Sequence, residues 1–410
     1  MQEAPKKDAS QAAQRGLPLE GITVLDLGQI YNGPYASFLM AMSGAHVIKI
    51  EPREGEKMRR RGSVGGAMLP FAMLNSCKQF VTLNLKTIAG RDLFLKMVRK
   101  ADILVENFAP GVMDKLGVGP SELMRVNPRL VYAAGSGYGW SGPYKDLLAM
   151  DLTVQAMSGV MASTGFPDRP PVKAGPALAD FFGGVHLYGA AITALYDAQR
   201  TGRGRVVEVS MLEAVYPALS STLGLYHGLG NQNPPRTGNR HGGMAESPYN
   251  VYPTSDGWLA MICVSDAHFE ALAAAMDRTD LLQDNRFSSL ASRVEHMDEL
   301  DSIISSWSEK YSKADLIEIM GRYRIPSAPV REIDEVINDP HMHERGSLRR
   351  VNHPDMGEVV LPTGPMRYGD AVPREIVPSK SAGADNAAVY CNWLGLSEEE
   401  FSGLLAEDAI

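Results

Sequence analysis

The chain predicts an α/β protein with a large doubly wound domain and a smaller α/β domain. Three observations lead there. "ITVLDLG" (22–28), "GPYASFLMAMSG" (33–44) and "HVIKIE" (46–51) read as strand, helix and strand, and such compact β-α-β units favour a parallel sheet. The pattern then recurs as "FVTLNL" (80–85), a helix over 88–100, "DILVEN" (102–107) and the strand "RLVYAAGSG" (129–137). Finally, 410 residues with 44% hydrophobic content can bury more than one core.

Each element has a local reason. Pro34 suits the first turn of a helix, and Gly44 ends it. "GGVHLYGAAITALYDAQR" (183–200) places Leu187, Ala191, Ile192 and Leu195 near helical spacing. "TGRG" then turns the chain into the strand "RVVEVSM" (205–211), so residues 17–215 form one doubly wound domain after a flexible tail, 1–16. Residues 216–240 are a linker, helical and then a polar loop. Residues 241–345 form the smaller domain, with strands "YNVYPT" and "GWLAMICV" around the turn Ser255-Asp256-Gly257, helices near 266–276 and 294–322, and "APVREI". Residues 346–410 hold a β segment, "HPDMGEVVLPTGPMRY", and a helical terminus broken at "GLS".

Composition removes several functions. The net charge of −8 gives no reason to expect a nucleic-acid partner. The one basic run, "MRRRG" (58–62), suits either a polyphosphate grip or a solvated turn. Cys77, Cys263 and Cys391 lie far apart, so neither a zinc site nor a disulfide framework is expected, and a reducing cytoplasm fits. No metal spacing surrounds "HMH" (341–343). The N-terminus has no apolar signal core, and the apolar runs read as too short to span a bilayer. "GYGWSG" (137–142) follows a strand but runs into Pro143 rather than a helix, so it reads as a cleft loop and not a dinucleotide fingerprint. No G-x-S-x-G elbow is present.

"PALADFFGG" (176–184) then stands out. Asp180 follows small residues and precedes two aromatics and Gly183-Gly184. It reads either as the N-cap of the helix that follows or as a reactive carboxylate.

Several segments, in order, resemble the family III CoA-transferases. They are "DLGQIYNGPYASFLMAMSGAHVIKIEP", "LNLKTIAGRDLFLKMVRKADILVENFAPGVMDKLG", "NPRLVYAAGSGYGWSGPY", "MDLTVQAMSGVMASTG", "ALADFFGG", "TGRGRVVEVSMLEA" and "TGNRH". The resemblance runs from about residue 19 to the C-terminus. It implies a large Rossmann-like domain, a smaller α/β domain, ring-shaped monomers interlocked as a homodimer, and a C-terminal helix packed on the large domain. It implies CoA transfer from an acyl-CoA donor to a carboxylic acid acceptor, with CoA as substrate and no permanently bound cofactor.

The site residues carry over one by one. Asp180 matches the catalytic carboxylate, which forms a mixed anhydride and then an aspartyl-CoA thioester. A helix start behind it would favour its charged form, and Gly183 and Gly184 would leave room for a thioester and bare N–H groups for an oxyanion. Gln29 matches a contact near the thioester, and Asn107 and Phe108 match residues flanking CoA. Leu83, Val112, Lys115 and Leu116 match the adenine and phosphate side, where Lys115 stands in place of the family's usual Arg, so Arg53 or the 59–61 run is expected to help grip the 3′-phosphate. Gly137 and Tyr138 are expected in the cleft. Arg240 and His241 are expected either to meet a substrate carboxylate or to shape a loop. A racemase branch of the same fold uses a His-Asp pair whose positions here are Met150 and Asp151, and methionine transfers no proton. Asp151 is left as a cleft residue or a helix cap. The alternatives are therefore a CoA-ester racemase and a non-catalytic CoA-binding scaffold.

Overall fold

The computed structural model describes residues 15–60, 68–229, 236–369 and 371–410. Residues 1–14 of the tail expected over 1–16, Arg61 and Gly62 of the basic run and residues 230–235 of the expected linker lie outside them. The chain forms two compact units. One comprises residues up to Val154, Ala177–Ala214 and Asp339–Ile410; the other comprises Gln155–Pro176 and Val215–Asn338. The large domain is thus not continuous over 17–215, because 155–176 belong to the second unit. The stretch expected as a linker, 216–240, also belongs there, and the return crosses at 339 rather than 346.

Among the described residues, eleven strands form three sheets. In the first unit β1 (Thr23–Asp26), β2 (His46–Glu51), β3 (Gln79–Thr82), β4 (Ile103–Glu106), β5 (Val131–Ser136) and β6 (Val206–Ser210) line up as β3-β2-β1-β4-β5-β6, every pair parallel. Its helices include α1 (Asn32–Met42), α2 (Lys57–Arg60), α3 (Met68–Asn75), α4 (Ile88–Val98), α5 (Val112–Lys115) and α6 (Pro120–Val126); α7 (Asp151–Ser158) runs from the first unit into the second, α8 (Val160–Ser163) belongs to the second, and α9 (Leu178–Thr201) returns to the first. In such a sheet the order reverses between β1 and β4, and ligands bind in the crevice outside the carboxyl ends of the strands there.

Both faces of this sheet are covered, as parallel sheets require. Leu25, Ile48 and Leu104 face a core shared with Phe94 and Met97 of α4. Val389, Tyr390 and Ile410, from the end of the chain, pack into that same core, and the Tyr390 hydroxyl donates to the Thr82 carbonyl at 2.8 Å. Val24, Val47 and Val105 face the other way, onto Phe38 and Met40 of α1 and Leu187, Ala191 and Leu195 of α9. Burying a side chain such as Phe94 contributes roughly 1.5–3 kcal/mol. Gly202, at φ 72°, closes α9 in the left-handed conformation that glycine adopts freely.

α9 is 24 residues long, and an 18-residue window of it has a mean hydropathy of 1.3. By length and composition that window could cross a membrane, but a mostly buried core helix meets the same criterion. Its buried residues instead pack on α1 and the sheet.

The second unit holds an antiparallel sheet of β7 (Tyr249–Thr254), β8 (Gly257–Ile262) and β9 (Ser327–Pro329). Tyr252, Leu259, Phe269, Leu272, Ile304 and Leu316 form its core. The single helix expected over 294–322 is broken into pieces, with Met297–Ser308 and Lys313–Tyr323 separate because Ser312 and Asp315 form a capping box. β10 (Leu348–His353) and β11 (Gly357–Pro362) make a hairpin in the first unit.

Candidate active site

The turn after β1 is braced from below by buried charges. Asp26 accepts from the Gly28 N–H at 2.7 Å, and Lys49 donates to the Gly28 carbonyl at 2.6 Å. Lys78 donates to Asp26 at 2.8 Å. Burial alone would raise the Asp26 pKa, but Lys49 and Lys78 outweigh it and hold the carboxyl below its ordinary value. The bracing supports a strained element, since Ile30 has a φ of 64°, which costs an ordinary residue about 1–2 kcal/mol.

The turns after β1 and β4 are tied together. Asn107 accepts from the Gln29 N–H at 2.7 Å and donates back to the Gln29 carbonyl at 2.9 Å. Asn107 therefore fixes the Gln29 backbone, in addition to lining the cavity below. Glu106, which no motif in the sequence marks, does the same for its neighbour: its carboxylate accepts from the Phe108 N–H at 2.6 Å and the Tyr132 hydroxyl at 3.2 Å. Burial pushes the Glu106 pKa up to about 7.

A cavity of about 360 Å³ opens outside the ends of β1, β4 and β5. Gln29, Asn107, Phe108, Gly137 and Asp180 line it, together with Asn32, Lys57, Ser136, Leu147, Leu148, Met150 and Met211. A second cavity of about 200 Å³ shares Gln29 and Phe108 with the first and adds Leu83, Lys86 and Leu116. Val112 and Lys115 line neither cavity; Lys115 is exposed at the end of α5. Arg53 is half exposed and ion-paired with Asp408. Arg59 is committed to Glu51, with bonds of 2.7 and 2.9 Å, and lies over the Phe71 ring. Tyr138 packs edge-on against Tyr144 and does not line the cavity.

Asp180 is not the N-cap of its helix. α9 starts at Leu178 with Ala177 as its cap residue, so Asp180 is the third residue of the first turn. The cap comes from elsewhere in the chain. Asp151 accepts from the Ala179 N–H at 2.8 Å and from the Asp180 N–H at 3.4 Å. The donors that would stabilise an Asp180 anion are thus already occupied. Among the described residues the Asp180 carboxylate has no hydrogen-bond partner of its own, although the side chain is only 8% exposed. Burial first, and the Asp151 charge second, push its pKa up to about 7. This corrects the expectation that the helix start keeps Asp180 charged.

Gly183 and Gly184 lie inside α9, where their N–H groups belong to the helix ladder. They are not bare oxyanion donors. Their role is close approach: a Cβ on Gly183 would meet the Asn32 side-chain nitrogen at 2.2 Å, and one on Gly184 the Asn32 carbonyl at 2.8 Å. Phe181 adds to this seam, stacking on Tyr31 at 5.9 Å and meeting Tyr35 edge-on at 4.9 Å.

In the second unit, Arg240 is committed to Asp298 at 2.6 Å and Asp301 at 2.7 Å. Asp301 also accepts from Asn250 and Tyr252. Of the two roles expected for Arg240, that network favours the structural one over a grip on a substrate carboxylate. His241 packs edge-on against Tyr249, with its ring nitrogen 3.4 Å from the Ser221 hydroxyl.

The model of CoA-transferase family III matches residues 19–386. The chain belongs to CoA-transferase family III. Within the family, it is 34% identical over 397 residues to the succinyl-CoA–D-citramalate CoA-transferase of Chloroflexus aurantiacus, covering 96% of this chain and 98% of that enzyme. It is 37% identical over 353 residues to the acetyl-CoA:oxalate CoA-transferase of Acetobacter aceti, covering 85% and 89%. A crystal structure of a CaiB/BaiF family protein from Brucella suis matches with a TM-score of 0.81 at 30% identity, covering 92% of this chain and all of that one. Like its relatives, this family III transferase is an enzyme that moves CoA between acyl-CoA thioesters and carboxylic acids.

Proposed function

We propose that this transferase works through Asp180 as a covalent nucleophile. The observation that carries the reading is a buried carboxylate with no hydrogen-bond partner of its own, lining a cavity at the switch point of the sheet. An unpartnered carboxylate held out of water is a better nucleophile than a solvated one.

The chemistry balances in four steps. An Asp180 oxygen attacks the acyl carbon of the thioester, the C–S bond breaks, and CoA leaves as the thiolate. The thiolate attacks the Asp180 side-chain carbonyl of the mixed anhydride and releases the donor acid, leaving an aspartyl-CoA thioester. The acceptor carboxylate attacks that carbonyl and again expels the thiolate. The thiolate then attacks the acceptor's acyl carbon, which restores the Asp180 carboxylate and releases the new acyl-CoA. The acyl group occupies the larger cavity, and the rest of CoA runs past Gln29 and Phe108 into the smaller one, towards Leu83, Lys86 and Leu116. Lys115, exposed nearby, is a second cation for the phosphates; Arg53 would first have to leave Asp408.

The racemase reading lacks a second acid/base, because Met150 lines the cavity and Asp151 accepts N–H groups of α9. The linked homodimer belongs to this proposal too, and exposed apolar side chains such as Phe182, Val185 and Tyr196 on α9 favour a covered face. Light scattering should then give twice the 44.5 kDa chain mass. Three free cysteines suit a reducing cytoplasm. The deciding experiment is Asp180→Ala: CoA exchange should fall by at least about 10³-fold, and exchange at the wild-type rate would refute the nucleophile.

A further inference from the structure

We propose that Lys57 anchors a second carboxylate, so that the site takes dicarboxylic acids and their mono-CoA thioesters. The inference rests on the reading of Asp180 as the reacting group, and it names the substrate class. Among the described residues lining the larger cavity, Asp180 and Lys57 are the charged ones; the rest are apolar, amide, hydroxyl or glycine. Lys57 is exposed on α2 and has no ion-pair partner among the described residues.

Its neighbours in sequence are occupied elsewhere. Glu56 turns inward, 3.6 Å from Lys49, and is 2% exposed, so the adjacent acid does not neutralise Lys57. Arg59 is held by Glu51 and the Phe71 ring. Lys57 does not pair with Asp180 either, and Asp151 is the charge that acts on the Asp180 proton. The cation thus lines the same cavity as the nucleophile without pairing to it, complementary to an anion that Asp180 itself does not supply.

Two anions could meet it, a carboxylate on the acyl chain or a phosphate of CoA. Lys86 lines the other cavity, on the far side of the shared Gln29 and Phe108 walls. Lys57 shares its cavity with Asp180, which must touch the thioester carbonyl. The anion it faces is therefore carried by the acyl group. A lysine is a flexible point charge and tolerates a range of chain lengths, where an arginine fork would fix one geometry.

The test compares succinyl-CoA with butyryl-CoA, whose acyl groups have equal length and differ in the terminal carboxylate, using acetate as the common acceptor. Wild type should prefer succinyl-CoA in kcat/KM. Lys57→Ala should shrink that preference by about tenfold, the worth of one charge-assisted hydrogen bond, and Lys57→Arg should restore most of it. An unchanged preference in Lys57→Ala, or none in wild type, overturns the assignment. Calorimetry on Asp180→Ala and on Asp180→Ala/Lys57→Ala gives the same comparison without turnover. If wild type turns over no thioester yet Lys57→Ala selectively weakens succinyl-CoA binding, the nucleophile reading fails and Lys57 stands. Equal weakening of CoA, butyryl-CoA and succinyl-CoA would place a phosphate on Lys57 and refute the carboxylate.

Discussion

Replacing Asp180 by Asn should stabilise the protein, and do so more at high pH than at low. The wild-type carboxyl has its folded pKa raised from 3.8 to about 7 by burial and by Asp151. The native state therefore holds this proton more tightly than the unfolded chain. The penalty for folding with the anion is absent below the unfolded value, grows between 3.8 and about 7, and is complete above that. A shift of that size corresponds to about 4 kcal/mol. Asn keeps the shape and does not titrate, so the stability gap between variant and wild type should widen by up to that amount from about pH 4 to about pH 8. Calorimetric melting of both proteins across this range should show a Tm gap that grows by several degrees. A gap flat in pH, or one that moves in favour of wild type as pH rises, would refute the picture of an unpartnered buried anion.

Other consequences are equally direct. Gly183→Ala should destabilise by about 1–3 kcal/mol, because its Cβ would strike Asn32 at 2.2 Å and Met211 at 2.9 Å and force α1 and α9 apart; unchanged thermal melting would contradict the close approach. Asn107→Ala removes both bonds to the Gln29 backbone and should cost about 1–3 kcal/mol while raising KM for acyl-CoA; wild-type KM would show that Gln29 needs no such tether. The acid limb of kcat/KM should fall near pH 7, since only ionised Asp180 attacks; a limb near pH 4 would show a carboxyl relieved by partners not seen in this geometry.

Much of the large unit was legible from residue patterns. β2 occupies the six residues that "HVIKIE" marks, because the β-branched Val47, Ile48 and Ile50 stand in a short segment between Gly44 and Pro52. Strand ends were less legible: β3 stops at Thr82 although "FVTLNL" continues the apolar pattern to Leu85, since beyond Thr82 the chain must turn towards α4. α9 begins five residues before the expected start at 183. Its first turn has no polar cap in sequence, and the cap is supplied by Asp151, 28 residues before Ala179, which no local pattern reveals. The same remoteness hid the state of Asp180. A helix start normally favours an anion, but here burial and a borrowed cap reverse the balance. The membership of 155–176 in the second unit is likewise a tertiary fact. Lys57 carries no motif signal of its own, because its place on the cavity wall is set by the fold, whereas Arg59 in the basic run beside it is committed to Glu51.

The central claim is that CoA passes through a covalent bond to one carboxylate. The most direct test incubates the enzyme with acyl-CoA, quenches with hydroxylamine and sequences the peptides by mass spectrometry. Asp180 should appear as its hydroxamate, dependent on acyl-CoA and lost in Asp180→Asn. An unmodified Asp180 peptide from enzyme that is turning over, or a hydroxamate on another residue, would contradict the account.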